Sequence, residues 1–473
     1  MTTHPKTKTK IVSTIGPKSS DLNTLKKMLE NGMNVARFNM SHDSQTIQAE
    51  KIKLTREASK KTKKPVAILL DLSGPKIRVG DFSTEYVDLV SGESFTLTTT
   101  KCQGDSKKVY VNYSHLTKVV KPGTYIYLDD GKLKLHINKV TDDEIETTII
   151  VGGKITGRRG VNIPDADLPI PSLTAKDRKD AKFGVEQDVD FMTLSFVRTA
   201  DDIHKLRKLL GNNSSIAIVA KIETRQAIEN LESIVETSDV LMVARGDLAI
   251  ETPLERVPLL QKKIIRIANH YGKPVITATH MLNSMRTATN PTRAEVADIA
   301  NAILDGTDAL MLSEETAIGE HPERAVEIMS QVAYGIEQDD YYKNYHRPWD
   351  FSIENICDSI TQSIASSVKN TGAKLIVALS ESGHTPRMIA RHRPDAPIVA
   401  LTPDRHTYNQ LLIVFGCEPR LVKGVKNLNE AIKLAKNVLQ NHQTINKGDV
   451  FILGAGIPFE VAGSTNTILI DRL

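Results

Sequence analysis

Eight short runs of apolar, often β-branched residues alternate with helical patterns, and this alternation constrains the fold of the 473-residue chain more than any other feature. The expected strands span residues 10–16, 34–39, 66–72, 190–196, 216–223, 240–244, 274–279 and 309–313. Between the first two lies a helical pattern that Ser20 or Asp21 can cap and Gly32 can end. Residues 258–271 predict another helix. Such alternation predicts an α/β chain built on a TIM (β/α)8 barrel.

The alternation is interrupted once, between residues 74 and 171, where short strand patterns and turns replace the helices. Asp130-Gly131 is a hairpin signal within this segment. Thr174 and Asp177 then have the spacing of a capping box, which predicts that a helix resumes the barrel. We therefore expect a catalytic barrel from residues 1–73 and 172–339, with an inserted β-barrel-like lid domain at 74–171.

A polar segment at residues 339–350 predicts a linker, and the alternation of strands and helices resumes beyond it. The expected helices span 353–369 and 428–441, and the expected strands span 374–379, 397–402, 450–453 and 465–470. These elements predict a separate C-terminal α/β domain over residues 340–473.

The composition is that of a globular protein, with 40% hydrophobic and 25% charged residues. No apolar run reaches the roughly 18 residues of a membrane-spanning helix, and the basic N-terminus lacks the apolar stretch of a secretory signal. Cys102, Cys357 and Cys417 have neither disulfide-framework nor zinc-site spacing. The net charge of +4 is dispersed rather than gathered into a basic stripe. We expect a cytoplasmic protein with no membrane and no nucleic-acid partner.

Polar residues follow the expected barrel strands at their carboxyl ends, where enzymes of this fold place their chemistry. They are Arg37, Asn39, Ser41, Asp71, Arg78, Ser195, Arg198, Lys221, Glu223, Arg245, Asp247, Thr279, Ser313 and Glu314. A single Lys–acid pair at a strand end is more often a salt bridge at the rim than a catalytic pair. Polar groups at the same end of consecutive strands must instead converge on one cavity, and burying so many charges is costly unless they serve a ligand.

The types of these residues indicate phosphoryl transfer. Glu223 and Asp247 can hold Mg²⁺ (or Mn²⁺), since Mg²⁺ takes one or two protein carboxylates and leaves its other positions to water and substrate oxygens. Arg37, Arg78 and Lys221 supply cations that suit phosphate. Phosphoryl transfer is catalysed mainly by positioning and charge neutralisation, which this set provides. Because the sequence has neither a P-loop nor a kinase glycine-rich loop, we expect the nucleotide between the barrel and the inserted domain.

Nine blocks of the sequence resemble the pyruvate kinase family, in family order and at family spacing over essentially the whole chain. They are KIVSTIGPKS (10–19), NVARFNMSHD (34–43), LDLSGPKIRVG (70–80), RGVNIP (159–164), AKIETRQAIEN (220–230), VARGDLAIE (243–251), ATHMLNSM (278–285), PTRAEVADIANAILDGTDALMLSEETAIGEHP (291–322) and SGHTPR (382–387). The resemblance implies a barrel with an inserted β domain and a C-terminal α/β domain. It implies an enzyme of the last step of glycolysis, which converts phosphoenolpyruvate and ADP into pyruvate and ATP, and a homotetramer.

The resemblance also implies roles for individual residues. Arg37 would contact the substrate phosphate, Lys221 would stabilise the phosphoryl group in flight, and Glu223 would join Asp247 as a Mg²⁺ ligand. Phosphoenolpyruvate and pyruvate would contact Gly246, Asp247 and Thr279, and Thr279 would also be catalytic, like Arg37 and Lys221. The nucleotide would contact Asn39, Ser41, His42, Arg78 and Arg159. A monovalent cation would bind Asn39, Ser41, Asp71 and the carbonyl of Leu72.

One departure from the family concerns potassium. Lys76 stands where potassium-dependent members carry Glu, and Leu72 stands where they carry Thr. A lysine ammonium at this position can supply the positive charge that K⁺ provides, since exchanging Glu for Lys changes the local interaction by a few kcal/mol at about 4 Å. The alternative is that Lys76 points to solvent and K⁺ still binds. We expect an enzyme that works without K⁺.

A hydroxyl-rich loop in the C-terminal domain precedes a helix that we expect to begin near Pro386. It contains Ser380, Ser382, Gly383, His384 and Thr385. Backbone amides at a helix start favour phosphate, although the motif alone equally suits an ordinary capped turn. The resemblance makes this loop an effector site, so we expect a regulatory domain that binds a phosphorylated allosteric activator. A sugar monophosphate or AMP is an alternative to fructose 1,6-bisphosphate, because the only Trp, Trp349, lies in the linker.

Two other functions would use the same residues. A metal-dependent aldolase or lyase of 2-oxo acids on a TIM barrel also needs two carboxylates and an arginine, but it needs neither the inserted domain nor Lys221. A metabolite sensor that kept the fold and lost catalysis is the non-enzymatic alternative, and the presence of Lys221, Glu223, Asp247 and Thr279 argues against it.

Overall fold

The structure, a computed structural model, describes residues 6–164, 166, 170–211, 214–345, 352–458 and 465–473. The first part of the chain alternates three strands with two helices. They are β1 (Lys10–Thr14), α1 (Leu22–Glu30), β2 (Val35–Asn39), α2 (Gln45–Thr62) and β3 (Ala67–Asp71). Asp21 rather than Ser20 caps α1, since its carboxylate accepts hydrogen bonds from two backbone N–H groups at 3.0 Å. The chain leaves this helix through Gly32, whose φ of 116° favours glycine.

The inserted segment is built almost entirely of strands. They are β4 (Val87–Leu89), β5 (Ser94–Thr98), β6 (Lys108–Tyr110), β7 (Tyr125–Leu128), β8 (Leu133–Val140), β9 (Glu144–Val151), β10 (Gly153–Ile155) and β11 (Val161–Asn162), with one short helix, α3 (Leu116–Val119), after β6. A six-stranded sheet has the order β11-β7-β8-β9-β5-β6, and β10 pairs with β4. The hairpin expected at Asp130-Gly131 is confirmed, because Leu128 pairs with Leu133 across it. The segment has a hydrophobic core of its own around Phe95.

The barrel resumes at the capping box of Thr174 and Asp177, which is confirmed. Its remaining strands are β12 (Phe191–Leu194), β13 (Ala217–Ile222), β14 (Val240–Ala244), β15 (Val275–Ala278) and β16 (Ala309–Leu312). The helices of this part are α4 (Ala175–Glu186), α5 (Ala200–Leu210), α6 (Arg225–Glu229), α7 (Leu231–Thr237), α8 (Arg245–Glu251), α9 (Val257–His270), α10 (Arg293–Asp305), α11 (Glu314–Ala317), α12 (Pro322–Gln338) and α13 (Asp340–Asn344). The linker prediction is wrong for α13, and residues 346–350 of that linker lie outside the described residues.

Eight parallel strands close into a barrel in the order β1-β16-β15-β14-β13-β12-β3-β2, which confirms the predicted fold class. The strands are apolar on both faces, because one face fills the barrel and the other packs beneath the helices. On β13, for example, Val219 belongs to the inner core and Ile218 to the outer one. Since all eight strands run in the same direction, their carboxyl ends meet at one rim of the barrel.

The C-terminal domain has the predicted α/β class, and its sheet has five strands rather than the four expected. Its elements are α14 (Ile356–Thr371), β17 (Leu375–Leu379), α15 (His384–Ala390), β18 (Ile398–Thr402), α16 (Arg405–Gln410), β19 (Cys417–Leu421), α17 (Leu428–Leu439), β20 (Val450–Gly456) and β21 (Thr465–Arg472). Helix α15 begins at His384 rather than near Pro386. The sequence analysis missed β19, because Glu418, Pro419 and Arg420 interrupt its apolar pattern, which an edge strand tolerates.

Buried polar contacts join this domain to the floor of the barrel, the rim at the amino ends of the strands. Arg393 lies 2.9 Å from the Asp308 carboxylate and donates to Asn269 Oδ1 at 2.8 Å. Arg391 donates to the carbonyl of His270 at 2.8 Å. Both guanidinium groups are buried and have hydrogen-bond partners, because a buried charge without a partner is costly. Among the helices of the described part of the chain, none is long and apolar enough to cross a membrane.

Candidate active site

A cavity of about 210 Å³ lies at the carboxyl ends of the barrel strands. It brings together thirteen of the residues that the sequence analysis selected: Arg37, Asn39, Ser41, His42, Asp71, Leu72, Lys76, Arg78, Ser195, Lys221, Asp247, Thr279 and Ser313. Glu223 is fully buried beside it, and Gly246 adjoins it through a hydrogen bond from its backbone N–H to Thr279 Oγ1 at 2.8 Å. Polar side chains from separate strands therefore converge on one point, as expected for this fold.

Lys221 is held between two fixed oxygens. Its Nζ donates to Ser195 Oγ at 3.0 Å and lies 3.0 Å from Glu223 Oε2. Ser195 Oγ donates in turn to the carbonyl of Leu72 at 2.8 Å, and Glu223 Oε1 accepts from the backbone N–H of Phe196 at 2.6 Å. Lys221 and Glu223 project to the same side because side chains two residues apart share a face of a strand.

The electrostatics of this cluster favour a charged lysine. Burial alone would lower the pKa of Lys221, but the carboxylates of Glu223, Asp71 and Asp247 outweigh it and raise that pKa. For Glu223, burial raises the pKa, the Lys221 ammonium opposes this effect, and the neighbouring Asp247 carboxylate adds to it. The Lys221 ammonium thus lies beside two carboxylates that repel each other, which is an arrangement that a divalent cation would relieve.

Arg37 occupies the facing wall of the cavity. Its Nε donates to Asp71 Oδ2 at 2.8 Å and its Nη1 donates to Thr14 Oγ1 at 2.8 Å, so the guanidinium plane is fixed. On β2, Arg37 lies two residues before Asn39, which is the register partner of Asp71 on β3, so the long Arg37 side chain reaches Asp71 diagonally. A guanidinium held in this way is preorganised to receive a phosphate group.

Thr279 adopts a backbone conformation that is rare for a β-branched residue. Its φ is 72°, and the next residue, His280, has a φ of 55°. Arg245 holds this turn, since its Nη2 donates to the carbonyl of Thr279 at 2.7 Å and its Nε donates to that of Ala278 at 3.1 Å. Strained backbone that neighbours hold in place is typical of functional sites. Here it keeps the Thr279 hydroxyl at the cavity.

Three of the four expected monovalent-cation ligands already accept hydrogen bonds, Asp71 from the Arg37 guanidinium. Asn39 Oδ1 accepts from the backbone N–H of Ser41 at 3.0 Å, and the carbonyl of Leu72 accepts from Ser195. Lys76 lines the same cavity rather than extending into solvent, with 26% of its side chain exposed. Its Nζ lies 3.2 Å from Asp130 Oδ1, so this pair joins the start of the inserted segment to its hairpin turn.

The expected nucleotide contacts separate into two groups. His42 and Arg78 line the cavity, and Arg78 Nη1 donates to the carbonyl of Arg158 at 2.9 Å. Arg159 does not line it, because its Nε donates to Thr156 Oγ1 at 2.7 Å and lies 3.4 Å from the Asp129 carboxylate. Arg159 therefore belongs to the inserted segment beside its hairpin turn.

Three of the polar strand ends do not reach the cavity. The Arg198 guanidinium lies 4.0 Å from the Asp202 carboxylate and donates to the carbonyl of Ile170. Arg245 pairs with Asp298 at 2.7 Å, and Glu314 pairs with Arg286 at 2.9 Å. Sequence reasoning expected all the strand ends to converge and was wrong for these residues. It also gave Ser195 no role, although parallel pairing of β12 with β13 places Ser195 beside Lys221.

Two buried carboxylate oxygens at the cavity fit a divalent cation. Asp71 Oδ1 accepts no hydrogen bond from any described residue, and Glu223 Oε2 has the Lys221 ammonium at 3.0 Å as its neighbour. Within the described ranges, no group of three or more His, Cys, Asp or Glu side chains could hold a metal ion by itself. Two carboxylates, with substrate oxygens as further ligands, are the donor set that Mg²⁺ commonly uses.

Several residues of the expected effector loop make contacts with other residues of the C-terminal domain. Thr385 is buried, and its Oγ1 lies 2.7 Å from Thr465 Oγ1. His384 Nε2 lies 3.6 Å from the Cys357 sulfur, and the backbone N–H of Ser380 donates to the carbonyl of Leu401 at 3.1 Å. Gly383 has a φ of 75°, and Ser382 is exposed. Ser382 is therefore the residue of this loop that is placed to meet a ligand.

Comparison with known proteins gives matches along almost the whole chain. The family model "Pyruvate kinase, barrel domain" matches residues 6–326, and the model "Pyruvate kinase, alpha/beta domain" matches residues 358–470. A pyruvate kinase of Thermotoga maritima is 43% identical over 98% of this chain and 99% of its own length. Pyruvate kinase of Geobacillus stearothermophilus is 41% identical and pyruvate kinase 2 of Synechocystis sp. is 40% identical, each over 98% of this chain and 79% of its own length.

Proposed function

The chain belongs to the pyruvate kinase family and is a phosphotransferase, and on this premise we propose that it transfers the phosphoryl group of phosphoenolpyruvate to ADP, giving pyruvate and ATP. The observation that carries the proposal is the position of the Lys221 ammonium, held by Ser195 and Glu223 across one cavity from the fixed guanidinium of Arg37. A phosphoryl group between these two cations would have its developing charge stabilised from both sides. The aldolase or lyase alternative is not favoured by any of the family matches.

Each residue of the site has a distinct task in this reaction. Arg37 binds the phosphate of phosphoenolpyruvate, and Lys221 stabilises the phosphoryl group during transfer. Gly246 and Thr279 hold the three-carbon part, because the backbone N–H of Gly246 fixes the Thr279 hydroxyl. Glu223 and Asp247 would hold Mg²⁺ or Mn²⁺, which would neutralise charge on phosphoryl and substrate oxygens. His42 and Arg78 line the side of the cavity that faces the lid, where the nucleotide would bind, with Asn39 and Ser41 nearby.

The position of Lys76 supports a reaction without K⁺. The ammonium lies in the wall of the cavity that contains Asn39, Ser41, Asp71 and Leu72, the expected cation ligands. A resident positive charge there weakens binding of a second cation by like-charge repulsion. Lys76 pairs with Asp130 inside the inserted segment, so this contact fixes the charge at the start of that segment.

Regulation and assembly follow from the family and from surface features. A phosphorylated metabolite would activate the enzyme through the C-terminal domain, where Ser382 is exposed beside Arg387. A homotetramer is supported by apolar side chains that remain on the surface, such as Leu254 at 71% and Leu259 at 65% exposure. A cytoplasmic location fits the free cysteines Cys102, Cys357 and Cys417.

The function is tested by coupling pyruvate formation to lactate dehydrogenase and measuring ATP separately. Equal amounts of pyruvate and ATP from phosphoenolpyruvate and ADP are expected, with no product when ADP is omitted. Cleavage of a 4-hydroxy-2-oxo acid without ATP formation would instead identify an aldolase and would contradict the proposal.

A further inference from the structure

Phe196, which follows strand β12, has a left-handed backbone conformation. Its φ of 55° is rare for a bulky side chain and is unfavourable unless neighbours hold the residue in place. They do so on both sides. Ser195 is fixed by its hydrogen bond to the carbonyl of Leu72, and the carbonyl of Val197 accepts from Thr224 Oγ1 at 3.1 Å. The surrounding structure thus maintains the strain at Phe196, as is common at functional sites.

The backbone N–H of Phe196 contacts a carboxylate of the active site. It donates to Glu223 Oε1 at 2.6 Å. Glu223 is fully buried, and its other oxygen, Oε2, lies 3.0 Å from Lys221 Nζ. The hydrogen bond therefore fixes the rotation of the carboxylate, with one oxygen on the backbone of residue 196 and the other facing the ammonium. The φ angle of Phe196 sets how this N–H is turned relative to the ring of the same residue.

The ring of Phe196 lies beside the same catalytic pair. Its centroid is 6.0 Å from Lys221 Nζ, at the outer limit of a cation–π contact. The side chain lines both the active-site cavity and a neighbouring cavity of about 80 Å³, so it lies between them. The inserted segment contributes to the wall of that second cavity, for example through Ile77 and Val161. The ring therefore separates Lys221 and Glu223 from the space on the side of the lid.

The ring packs against Gly74, the first residue of the inserted segment. Gly74 has a φ of 67°, and a Cβ added to it would lie 2.9 Å from Cδ2 of Phe196 and 2.9 Å from Cβ of Ser195. Real Cβ atoms do not come this close to other carbons, so glycine at this position makes room for the ring. Gly74 is itself held, because its backbone N–H donates to Asp177 Oδ1 at 3.1 Å. The ring thus rests on a fixed surface.

We propose that Phe196 is a positioning residue for phosphoryl transfer. Its backbone N–H orients the Glu223 carboxylate, and its ring, packed against Gly74, holds that backbone in the left-handed conformation. Glu223 then presents its second oxygen to Lys221 and to a divalent cation in one fixed orientation. The inference rests on the proposed function, in which Glu223 holds Mg²⁺, and it adds two residues, Phe196 and Gly74, that act through Glu223 rather than on the substrate.

This role predicts an unusual order among substitutions at residue 196. Phe196→Gly loses the ring, but glycine adopts a positive φ as readily as a negative one, so the N–H can still reach Glu223. Phe196→Ala also loses the ring, and alanine is strained in the left-handed region, so its backbone should relax away from Glu223. Alanine should therefore be more damaging than glycine. If the side chain only filled space, glycine would be at least as damaging, because it removes one more carbon and adds flexibility.

Binding of Mn²⁺ to the full chain tests the proposal, measured without turnover from the electron paramagnetic resonance signal of the free ion. Phe196→Ala is expected to weaken Mn²⁺ binding at least about tenfold, or ~1.4 kcal/mol, and Phe196→Gly about threefold or less. Gly74→Ala should resemble Phe196→Ala, because the new Cβ displaces the ring. The matched control is Gly123→Ala, where φ is 89° and a Cβ would meet no atom within 4 Å. This control has the backbone strain without the contact and should bind Mn²⁺ like the parent.

Equal Mn²⁺ binding by Phe196→Ala and the parent, or weaker binding by Phe196→Gly than by Phe196→Ala, would overturn the positioning role. So would a difference between these two substitutions that persists in the Glu223→Ala background, where the oriented carboxylate is absent. If melting curves show that Phe196→Ala does not fold, the comparison of Gly74→Ala with Gly123→Ala decides the matter.

Failure of the proposed metal site would be seen separately. Absence of Mn²⁺ binding in the parent, or unchanged binding in Glu223→Ala, would overturn the assignment of Glu223 as a metal ligand and, with it, the role of Phe196. The ATP-formation assay of the parent does not depend on these variants, so it tests the proposed reaction by itself.

Discussion

The ammonium nitrogen of Lys221 and the hydroxyl oxygen of Ser195, on neighbouring barrel strands, lie 3.0 Å apart. Ser195 is itself fixed by its hydrogen bond to the carbonyl of Leu72. The ammonium therefore has its position before a substrate arrives, and little reorganisation is needed when charge develops on the migrating phosphoryl group. Preorganised charge of this kind is commonly the largest single contribution to catalysis.

Replacing Lys221 by Met should act on the transition state rather than on substrate binding. We expect kcat to fall by at least about 10³-fold, a loss of about 4 kcal/mol, with little change in KM for phosphoenolpyruvate, because charge on the phosphoryl group peaks during transfer. Steady-state kinetics checks both parameters. Lys205→Met, at an exposed lysine that pairs with Asp201 on a barrel helix, is the control and should be unchanged. A Lys221→Met enzyme with near-normal kcat would remove this residue from the mechanism.

Removing the Glu223 carboxylate should weaken the binding of Mg²⁺. The Mg²⁺ concentration that gives half-maximal activity in Glu223→Ala is expected to rise at least about tenfold, because one of two protein ligands is lost. Activity measured against MgCl₂ at constant ionic strength gives this value. Glu229→Ala, at an exposed carboxylate on α6, serves for comparison. An unchanged Mg²⁺ requirement in Glu223→Ala would show that the metal is held elsewhere.

Potassium should have little effect on the parent enzyme. With tetramethylammonium chloride replaced by KCl at constant ionic strength, we expect activation of less than about tenfold, or ~1.4 kcal/mol. Lys76→Glu should create a K⁺ requirement, because it removes a positive charge from the cavity wall and adds a negative one.

The ion pair of Lys76 with Asp130 needs its own control, since Lys76→Glu also breaks that contact. Asp130→Asn removes the pair and keeps the Lys76 charge, so this variant should remain independent of K⁺. If the parent is activated more than tenfold by K⁺, the idea that Lys76 replaces the cation is wrong.

The Glu251 carboxyl should make thermal stability depend on pH. Burial, as the main cause, raises its pKa from 4.5 to about 7, while a hydrogen bond from Asn162 of the lid opposes the shift and the carboxylates of Asp247 and Glu223 add to it. Between pH 4.5 and about 7 the folded state therefore binds more protons than the unfolded state, and stability falls as the pH rises through this window. In Glu251→Gln this decline in Tm should be smaller. Melting curves at several pH values measure the difference.

The control for this experiment is Glu255→Gln, an exposed glutamate a few residues further along the chain. It should keep the pH dependence of the parent. Equal slopes of Tm against pH in the parent and in Glu251→Gln would show that Glu251 titrates normally in the folded protein.

Most of the candidate site was predictable because its signals are local. The position of a polar residue at a strand end needs only the strand period and the parallel direction, and this was enough for Arg37, Asp71, Lys221 and Asp247. The same rule was wrong for Arg245, whose guanidinium turns away to Asp298 and to the carbonyl of Thr279. The strand pattern predicts the position of the backbone of a residue at a strand end. It does not predict which partner a long side chain such as that of arginine will bind.

The sequence by itself determined the barrel, the inserted strands, the C-terminal sheet and the catalytic cluster, because apolar periodicity, caps and turn residues act over a few neighbouring positions. Only the tertiary structure decided that Lys76 meets Asp130, that Ser195 holds Lys221, and that Phe196 packs against Gly74. These contacts join residues that are far apart in the chain. Which residues contact each other in these pairs depends on how the helices, sheets and loops pack together, and a local pattern of residues does not show this.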